Sequence, residues 1–289
     1  MPSARPRIIT LLTDFGDRDW FVGTMKGVIL SILPSARIVD LSHAVPTGDI
    51  RRAAWILACA WRYFPRRTVH VAVVDPGVGS TRAIALLETG GRLFLAPDNG
   101  VLSYVLAAAA CPRLYRLDRP DLYLPEVSAT FHGRDVFAPV AARLAAGLKP
   151  SRVGPPLADP VLFPFPTARR RGKGWNTGVV YIDRFGNVIL SFSRREWDER
   201  VAPGRSDNLR IEIGAKKRPV PLAGSYALGQ AGDLLALWGS SGQLELAVNR
   251  GSAADRLGVH VGDEVFLEPM TDVTEQGSTA KTRKRQKNI

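Results

Sequence analysis

Two short segments of this 289-residue chain hold side chains in patterns that suit chemistry: Val73-Val74-Asp75-Pro76-Gly77-Val78-Gly79-Ser80-Thr81-Arg82 and Phe131-His132-Gly133-Arg134-Asp135. In the first, an apolar run from Thr68 to Val74 ends on a carboxylate and enters a Pro/Gly turn. Crevices in α/β folds open beyond the carboxyl ends of the strands, so Asp75 and Arg82 stand where reactive groups are presented. The second segment puts an imidazole between a Phe and a Gly, just ahead of a helix-like stretch, in a chain with only four histidines. Imidazole is the side chain that changes charge near neutral pH, which makes His132 a candidate acid, base or donor. Each segment also has a plain structural reading. Asp-Pro-Gly is ordinary turn chemistry, and a His beside a Phe packs well in a core. From residue types alone the outcome is a candidate Asp/Arg/His set at strand ends.

Other positions carry weaker signals. Thr13-Asp14-Phe15-Gly16 follows the first predicted strand. A carboxylate there has lone pairs for both hydroxyls of a ribose, yet Asp14 serves equally as a helix cap, and so does Asp19. No Gly-x-Gly-x-x-Gly phosphate cradle follows the strand, and Gly77-Val78-Gly79 lacks the third glycine. Such a sheet suits a ligand without a phosphate. Downstream, Ile182-Asp183-Arg184-Phe185-Gly186-Asn187 reads as a hairpin turn on its Gly-Asn alone. Ser240 and Ser241 sit in a loop of small residues, and Tyr226 reads as a barrel-core aromatic.

The elements that must position these groups follow from periodicity. Strands are predicted over Arg7 to Thr13, Arg37 to Leu41, Thr68 to Val74, Ala83 to Glu88, Arg92 to Ala96 and Arg113 to Leu117. Helical stripes run from Trp20 to Leu33, along Ile50, Ala53, Leu57, Trp61 and Phe64, and over Gly100 to Ala110 and Arg134 to Leu148. This alternation predicts an α/β domain with a Rossmann-like, mainly parallel sheet over residues 1–166. A basic linker is expected at 167–174, from Arg169, Arg170, Arg171 and Lys173. Short, turn-bounded runs then predict a small antiparallel β-barrel over 175–270: Thr177 to Ile182, Val188 to Phe192, Leu209 to Ile213, Leu234 to Trp238, Leu244 to Val248 and Val265 to Leu267. Residues 271–289 read as a disordered basic tail.

Composition bounds the classes. Hydrophobic residues make up 45% and charged residues 23%, as in a soluble globular protein. Met1 to Thr10 lacks the apolar core of a secretory signal and no run is long enough for a membrane span, so a cytoplasmic location is expected. Cys59 and Cys111, in apolar helical contexts, read as free thiols, and four scattered histidines argue against a zinc site. The net charge of +12 invites a nucleic-acid reading. Nine of the positive charges, however, crowd the expected linker and tail (Lys281, Arg283, Lys284, Arg285 and Lys287), so only weak, non-specific polyanion binding by the tail is expected.

The motifs together resemble the S-adenosylmethionine (SAM) hydrolases, or SAM hydroxide adenosyltransferases, relatives of the SAM-dependent fluorinase and chlorinase. The resemblance runs from Ile9 to about Gly258 in nine ordered blocks. They are Thr13–Gly16, Phe21–Gly23, Met25–Gly27, Val73–Arg82, Pro97–Gly100, Phe131–Asp135, Asp183–Asn187, Gly239–Gly242 and Val248–Ala254. It implies a homotrimer with sites at subunit interfaces, SAM as the substrate, adenosine and L-methionine as products, and no metal or other cofactor. Asp75, Arg82 and His132 match the hydrolytic triad. Asp14, with Asp19 nearby, matches the ribose contacts, and Asp183 matches the ammonium partner. Phe185 matches a pocket wall, Asn187 an adenine contact, Ser240 and Ser241 the methionine contacts, and Asn249 through Ala253 the adenine-reading edge. Tyr226 aligns loosely as a purine stacker. Halogenating relatives carry Tyr and Thr where this chain has Asp75 and Val78. A SAM halogenase on the same fold and, from a different class, a basic nucleic-acid-binding protein are the competing readings.

Overall fold

The computed structural model describes residues 7–201 and 208–270, and the chain divides into two units, Met1–Phe165 and Pro166–Ile289. The expected basic tail lies outside the described residues.

The first unit runs β1 (Arg7–Thr13), α1 (Phe21–Ile32), β2 (Ala36–Ser42), α2 (Ile50–Ala60), β3 (Val69–Val73), β4 (Ile84–Thr89), β5 (Arg92–Pro97), α3 (Ser103–Ala107), β6 (Arg113–Arg116) and α4 (Ala138–Ala146). Its sheet has the order β2-β1-β3-β5-β4-β6. The pairings β1–β2, β1–β3 and β3–β5 are parallel, whereas β4–β5 and β4–β6 are antiparallel. The sheet is thus parallel where the candidate residues emerge and antiparallel at one edge, a mixed version of the expected arrangement. Two residues, Gly90 and Gly91, connect β4 to β5, both at positive φ. So short a connection allows only an antiparallel return.

Both faces of the sheet are covered, and the alternation along β1 shows why. Ile9 and Leu11 face a core shared with Val22, Met25 and Ile29 of α1 and Val140 and Leu144 of α4. Leu12 faces the opposite core, with Ala53 and Leu57 of α2 and Val105 of α3. Each such fully buried aliphatic side chain contributes about 1.5–3 kcal/mol. Asp49 caps α2 by accepting a hydrogen bond from the Arg52 amide at 2.9 Å. Gly147, at φ 119°, ends α4 in the left-handed conformation that glycine adopts without penalty.

The chain leaves β1 for β2 on one side, then crosses back to β3 on the other. Strand order therefore reverses between β1 and β3, which is where a crevice forms beyond the strand ends. Thr13 pairs with Val73 across this junction, so Asp14 and Asp75 leave adjacent parallel strands side by side.

The second unit contains β7 (Arg169–Arg171), β8 (Gly174–Ile182), β9 (Val188–Ser193), α5 (Arg194–Arg200), β10 (Asn208–Ile213), β11 (Lys216–Pro221), β12 (Leu234–Trp238), β13 (Gln243–Val248), α6 (Ala253–Leu257) and β14 (Glu264–Pro269). The sheet order is β11-β10-β14-β8-β9-β13-β12, with β7 on β8. A bridge between Leu222 and Ala236 brings the β11 end back to β12, so the barrel nearly closes. Trp175, Phe192, Trp197, Leu209, Ile211 and Leu267 are among the side chains that fill it.

Two strands and two helices of this unit lie outside the predicted runs. Within the segment expected as a basic linker, Arg169–Arg171 form β7, paired antiparallel with β8. The Arg170 guanidinium lies 4.4 Å from the Trp175 ring centroid and that of Arg171 4.9 Å from Phe266, so these charges rest on the barrel surface. β11 is Lys-Lys-Arg-Pro-Val-Pro, and its prolines fit because it is the terminal strand of the sheet order. α5 starts at a capping box made by Ser193 and Glu196. α6 starts at Ser252 and stops at Gly258. Cys111, expected in a helix, follows α3 in a bend with φ 51°.

One close approach decides whether the two candidate segments of the first unit meet. Gly79 has φ 79°, and a Cβ there would collide with the Ala129 carbonyl oxygen. Only glycine lets the Asp75–Arg82 turn lie against the segment leading into His132. Gly79→Ala is expected to cost about 1–3 kcal/mol, read as a lower midpoint in chemical denaturation. An unchanged midpoint would show that the approach is dispensable.

Candidate active site

A cavity of about 340 Å³ opens at the β1/β3 junction, lined by Asp14, Phe15, Phe21, Asp75, Val78, Phe131 and His132 among others. Behind its wall Arg82, itself not among the lining residues, grips Asp75 with both arms of its fork. Nε donates to Oδ1 at 2.7 Å, and Nη2 donates to Oδ2. The pair is withdrawn from water, the side chains being 12% and 4% exposed, so breaking it would leave an uncompensated buried charge. Nη2 also lies 3.2 Å from Nδ1 of His132.

That last contact fixes the state of the imidazole. A guanidinium donates and never accepts, so Nδ1 must supply a lone pair. His132 is then neutral, with its hydrogen on Nε2. Burial and the Arg82 charge both hold its pKa below the ordinary value, against the opposing pull of Asp75 and Asp135. Asp75, with both oxygens occupied by Arg82, is placed to orient that cation.

The backbone around His132 is equally specific. Gly133–Phe137 form a single π-helical turn leading into α4, a local widening frequent at functional sites. Asp135 anchors it from a fully buried position. Its carboxylate accepts from Arg134 Nε at 2.5 Å and from the Ser128 amide at 2.9 Å, while Ser128 Oγ accepts from the Phe131 amide at 3.0 Å. Burial opposes its charge, and the bonds from Arg134 and Ser128 outweigh that, holding the carboxyl below the usual range.

Asp14 accepts from the Gly48 amide at 2.9 Å and faces the same cavity. Asp19 is exposed and is not among the lining residues. It does not cap α1 either, which begins without a side-chain cap at Trp20. Of the other histidines, His43 binds Thr13 Oγ1 through Nδ1 at 2.8 Å. His70 is a core residue: it bonds Thr10 at 2.8 Å, stacks on Phe94, and is pushed down to about 3 by burial.

The barrel unit carries its own cavity, of about 720 Å³, lined by Asp183, Phe185, Asn187, Tyr226, Ser240 and Asn249 with several others. Here the hairpin reading and the binding reading coincide. Asp183 Oδ1 accepts from the amides of Phe185 and Asn187 at 2.8 and 2.9 Å, and Oδ2 accepts from Asn187 Nδ2 at 2.9 Å. The carboxylate shapes the turn and still faces the cavity. Phe185 is left 69% exposed, far more than an aromatic ring of the core. Asn249 donates from Nδ2 to the Gly229 carbonyl at 2.8 Å, which fixes its amide. Ser241 and Ala253 are not among the lining residues, and the Ala253 side chain lies in the barrel core.

The structure adds Asp135 and Glu245 to the candidate set. Asp135 stands inside a motif already singled out, but nothing in its local sequence marks a buried anchor. Glu245 reads from sequence as one polar position in an alternating strand, yet it is 6% exposed and faces the second cavity.

An α/β unit whose cavity is lined by acidic, aromatic and imidazole groups, and a barrel whose cavity is lined by acidic, amide and aromatic groups, define a two-domain protein whose sites suit a nucleoside bearing a charged tail. Residues 9–154 match the SAM hydroxide adenosyltransferase N-terminal domain and residues 177–266 the corresponding C-terminal domain. The chain belongs to the SAM hydroxide adenosyltransferase family. It is 40% identical to the (R)-S-adenosyl-L-methionine hydrolase of Salinispora tropica, over 89% of this chain and 96% of that protein. A fluorinase from Nocardia brasiliensis is 28% identical, over 92% of this chain and 98% of its own. The solved structure of an uncharacterized conserved protein from Thermotoga maritima superposes with a TM-score of 0.85 at 35% identity, covering 90% of this chain and 99% of that one.

The geometry around His132 sets a direct test. Its imidazole, followed by NMR, should titrate below the ordinary 6.5. Removing the nearby cation in Arg82→Ala should raise the midpoint, because burial alone then opposes Asp75 and Asp135. A wild-type midpoint at or above 6.5 would mean that Nδ1 does not accept from Arg82.

Proposed function

We propose that this protein hydrolyses SAM to adenosine and L-methionine in the cytoplasm, by attack of water-derived hydroxide on C5′. The observation that carries the reading is Arg82 joined to two residues of the first cavity's wall, Asp75 and His132. Membership of the family and 40% identity to a SAM hydrolase support it.

In this mechanism Arg82 holds the His132 imidazole through Nη2, and its charge, balanced in large part by Asp75, modestly lowers the cost of forming hydroxide nearby. The Nε2–H of neutral His132 donates to the hydroxide oxygen and orients it. Asp75 positions Arg82. As the C5′–O bond forms, the C5′–S bond breaks and its electron pair goes to sulfur, so methionine departs as a neutral thioether. The proton given up when water becomes hydroxide passes to solvent. Departure needs no general acid, and the chemistry calls for no metal or redox cofactor. Asp14 receives the ribose hydroxyls, while Asp183, Asn187, Ser240 and Asn249 receive the methionine and adenine portions. Paired with Asp75, Arg82 offers a halide little net positive charge to bind, which favours water as the nucleophile over the halogenase reading.

We further propose that the protein acts as a homotrimer, with the first unit of one subunit facing the barrel of the next. The exposed Phe185 at the barrel cavity and the exposed Trp20, 5.2 Å from Phe21 at the other, are apolar groups such a junction would cover. No helix among the described residues is long and apolar enough to cross a membrane, and any binding of nucleic acid is assigned to the basic tail.

Reaction in ¹⁸O-water should label the 5′-hydroxyl of adenosine, and His132→Ala should slow turnover roughly 10²–10⁴-fold with little change in SAM affinity. Chlorinated or fluorinated nucleoside as the main product in halide buffer would overturn the hydrolase reading.

Subunit mixing tests the junction. His132→Ala and Asp183→Ala proteins should each be nearly inactive, yet co-expressed mixed trimers should regain activity in proportion to junctions carrying both intact residues. No recovery despite confirmed mixing would place each complete site within one chain.

A further inference from the structure

β13 explains how a glutamate comes to be buried on the barrel. Leu244, Leu246 and Val248 point into the core, so Glu245 and Ala247 face the other way. On that outer face Leu235, Leu237 and Ala247 form a small apolar cluster. Glu245 is nevertheless 6% exposed. Its Oε1 accepts a hydrogen bond from the Tyr226 hydroxyl. On its other side, a Cβ at Gly239 would lie 2.6 Å from Oε2, so that backbone passes directly over the carboxylate. Among the described residues no lysine or arginine forms an ion pair with Glu245.

A carboxylate held in an apolar patch without a cation is costly unless hydrogen-bonded, and the bond it has goes to a ring that lines the cavity. Tyr226 is 43% exposed, sits in a short 3-10 turn (Tyr226–Leu228), and has no aromatic neighbour among the ring contacts of the described residues. A half-exposed ring on a loop keeps one orientation only if its far end is tethered. Asn187 and Asn249 present amides to the same cavity, which suits the edge of a base, and an aromatic face suits its plane.

We propose that Glu245 is a positioning residue for substrate binding: it tethers the Tyr226 hydroxyl so that the ring stands as the stacking wall for the nucleoside base. The inference rests on the reading that the barrel cavity receives that base. Burial, together with the neighbouring Asp183, pushes the Glu245 carboxyl up, against the lowering effect of the Tyr226 bond. Burial and Glu245 push the phenol up, so it stays a donor at any physiological pH.

The test uses the full-length protein with Glu245→Leu, Glu245→Gln, Tyr226→Phe and the double variant Glu245→Leu/Tyr226→Phe. Leucine fits the surrounding apolar cluster and removes the acceptor; glutamine keeps an acceptor of the same shape. Glu245→Leu and Tyr226→Phe should each raise KM for SAM roughly 10-fold, the scale of a lost bond to a charged group, with kcat changed much less. The double variant should be no worse than the worse single one, because both remove one interaction. Glu245→Gln should restore most of the affinity. Additive effects, a loss confined to kcat, or a glutamine variant as impaired as the leucine variant would overturn the proposal. If Glu245→Leu does not fold, an unchanged KM in Tyr226→Phe overturns it alone. Calorimetric titration with adenosine separates the two readings. Wild-type protein that binds adenosine but leaves SAM intact refutes hydrolysis and leaves the wall testable, whereas SAM cleavage with unaltered variants refutes the wall.

Discussion

Arg82 has five donors and no lone pair, and that asymmetry organises the first cavity. Whatever approaches its guanidinium must accept. Asp75 does so with both oxygens, and His132 does so with Nδ1. The protonation state of the imidazole, the orientation of the carboxylate and the placement of positive charge are therefore consequences of a single side chain. The rest of the unit serves to bring its partners within reach. The strand-order reversal delivers Asp75 next to Asp14, Gly79 lets the turn lie against the segment before His132, and buried Asp135 holds the π-helical turn that carries the imidazole.

The barrel cavity is organised differently. Its polar side chains are largely engaged with their own backbone: Asp183 shapes the 183–187 turn, and Asn249 ties down the carbonyl of Gly229. Preorganisation of this kind means that a ligand meets fixed acceptors and amides without having to order them. It also means that replacing Asp183 disturbs the places of Phe185 and Asn187 along with any direct contact, so its loss would weaken binding through the turn as well as through charge.

How much of this is legible in the sequence depends on the range of the interaction. The apolar run of β1 gives its bounds to the residue, and Asp75 and His132 are visible because each sits at an element end next to Pro76 or Gly133, with Arg82 closing the Pro/Gly turn that Asp75 opens. The grouping itself, across 50 positions between Arg82 and His132, comes from resemblance and not from local pattern. β11 is hidden because Lys, Arg and Pro are tolerated on an edge strand that the one-dimensional pattern cannot identify as an edge. The Arg169–Arg171 segment reads as a linker because its stabilising contacts, the rings of Trp175 and Phe266, lie on other strands. Glu245 is silent for the same reason: alternation predicts an exposed face, and only tertiary cover by Tyr226 and the Gly239 backbone buries it.

Charge balance bears on the substrate that the first cavity would accept. An unpaired Arg82 would attract halide and repel a sulfonium; paired with Asp75 it presents little net charge while still offering directed N–H groups. Hydroxide and sulfonium carry opposite charges that cancel as they meet, so a site that excludes water favours their transition state over the separated ions. The Asp75–Arg82 pair beside that site is itself withdrawn from water, at 4% and 12% exposure. On the hydrolase reading, the carboxylate that neutralises Arg82 toward the incoming cation also leaves a halide little net positive charge to bind, so one ion pair bears on both the acceptance of SAM and the choice of water.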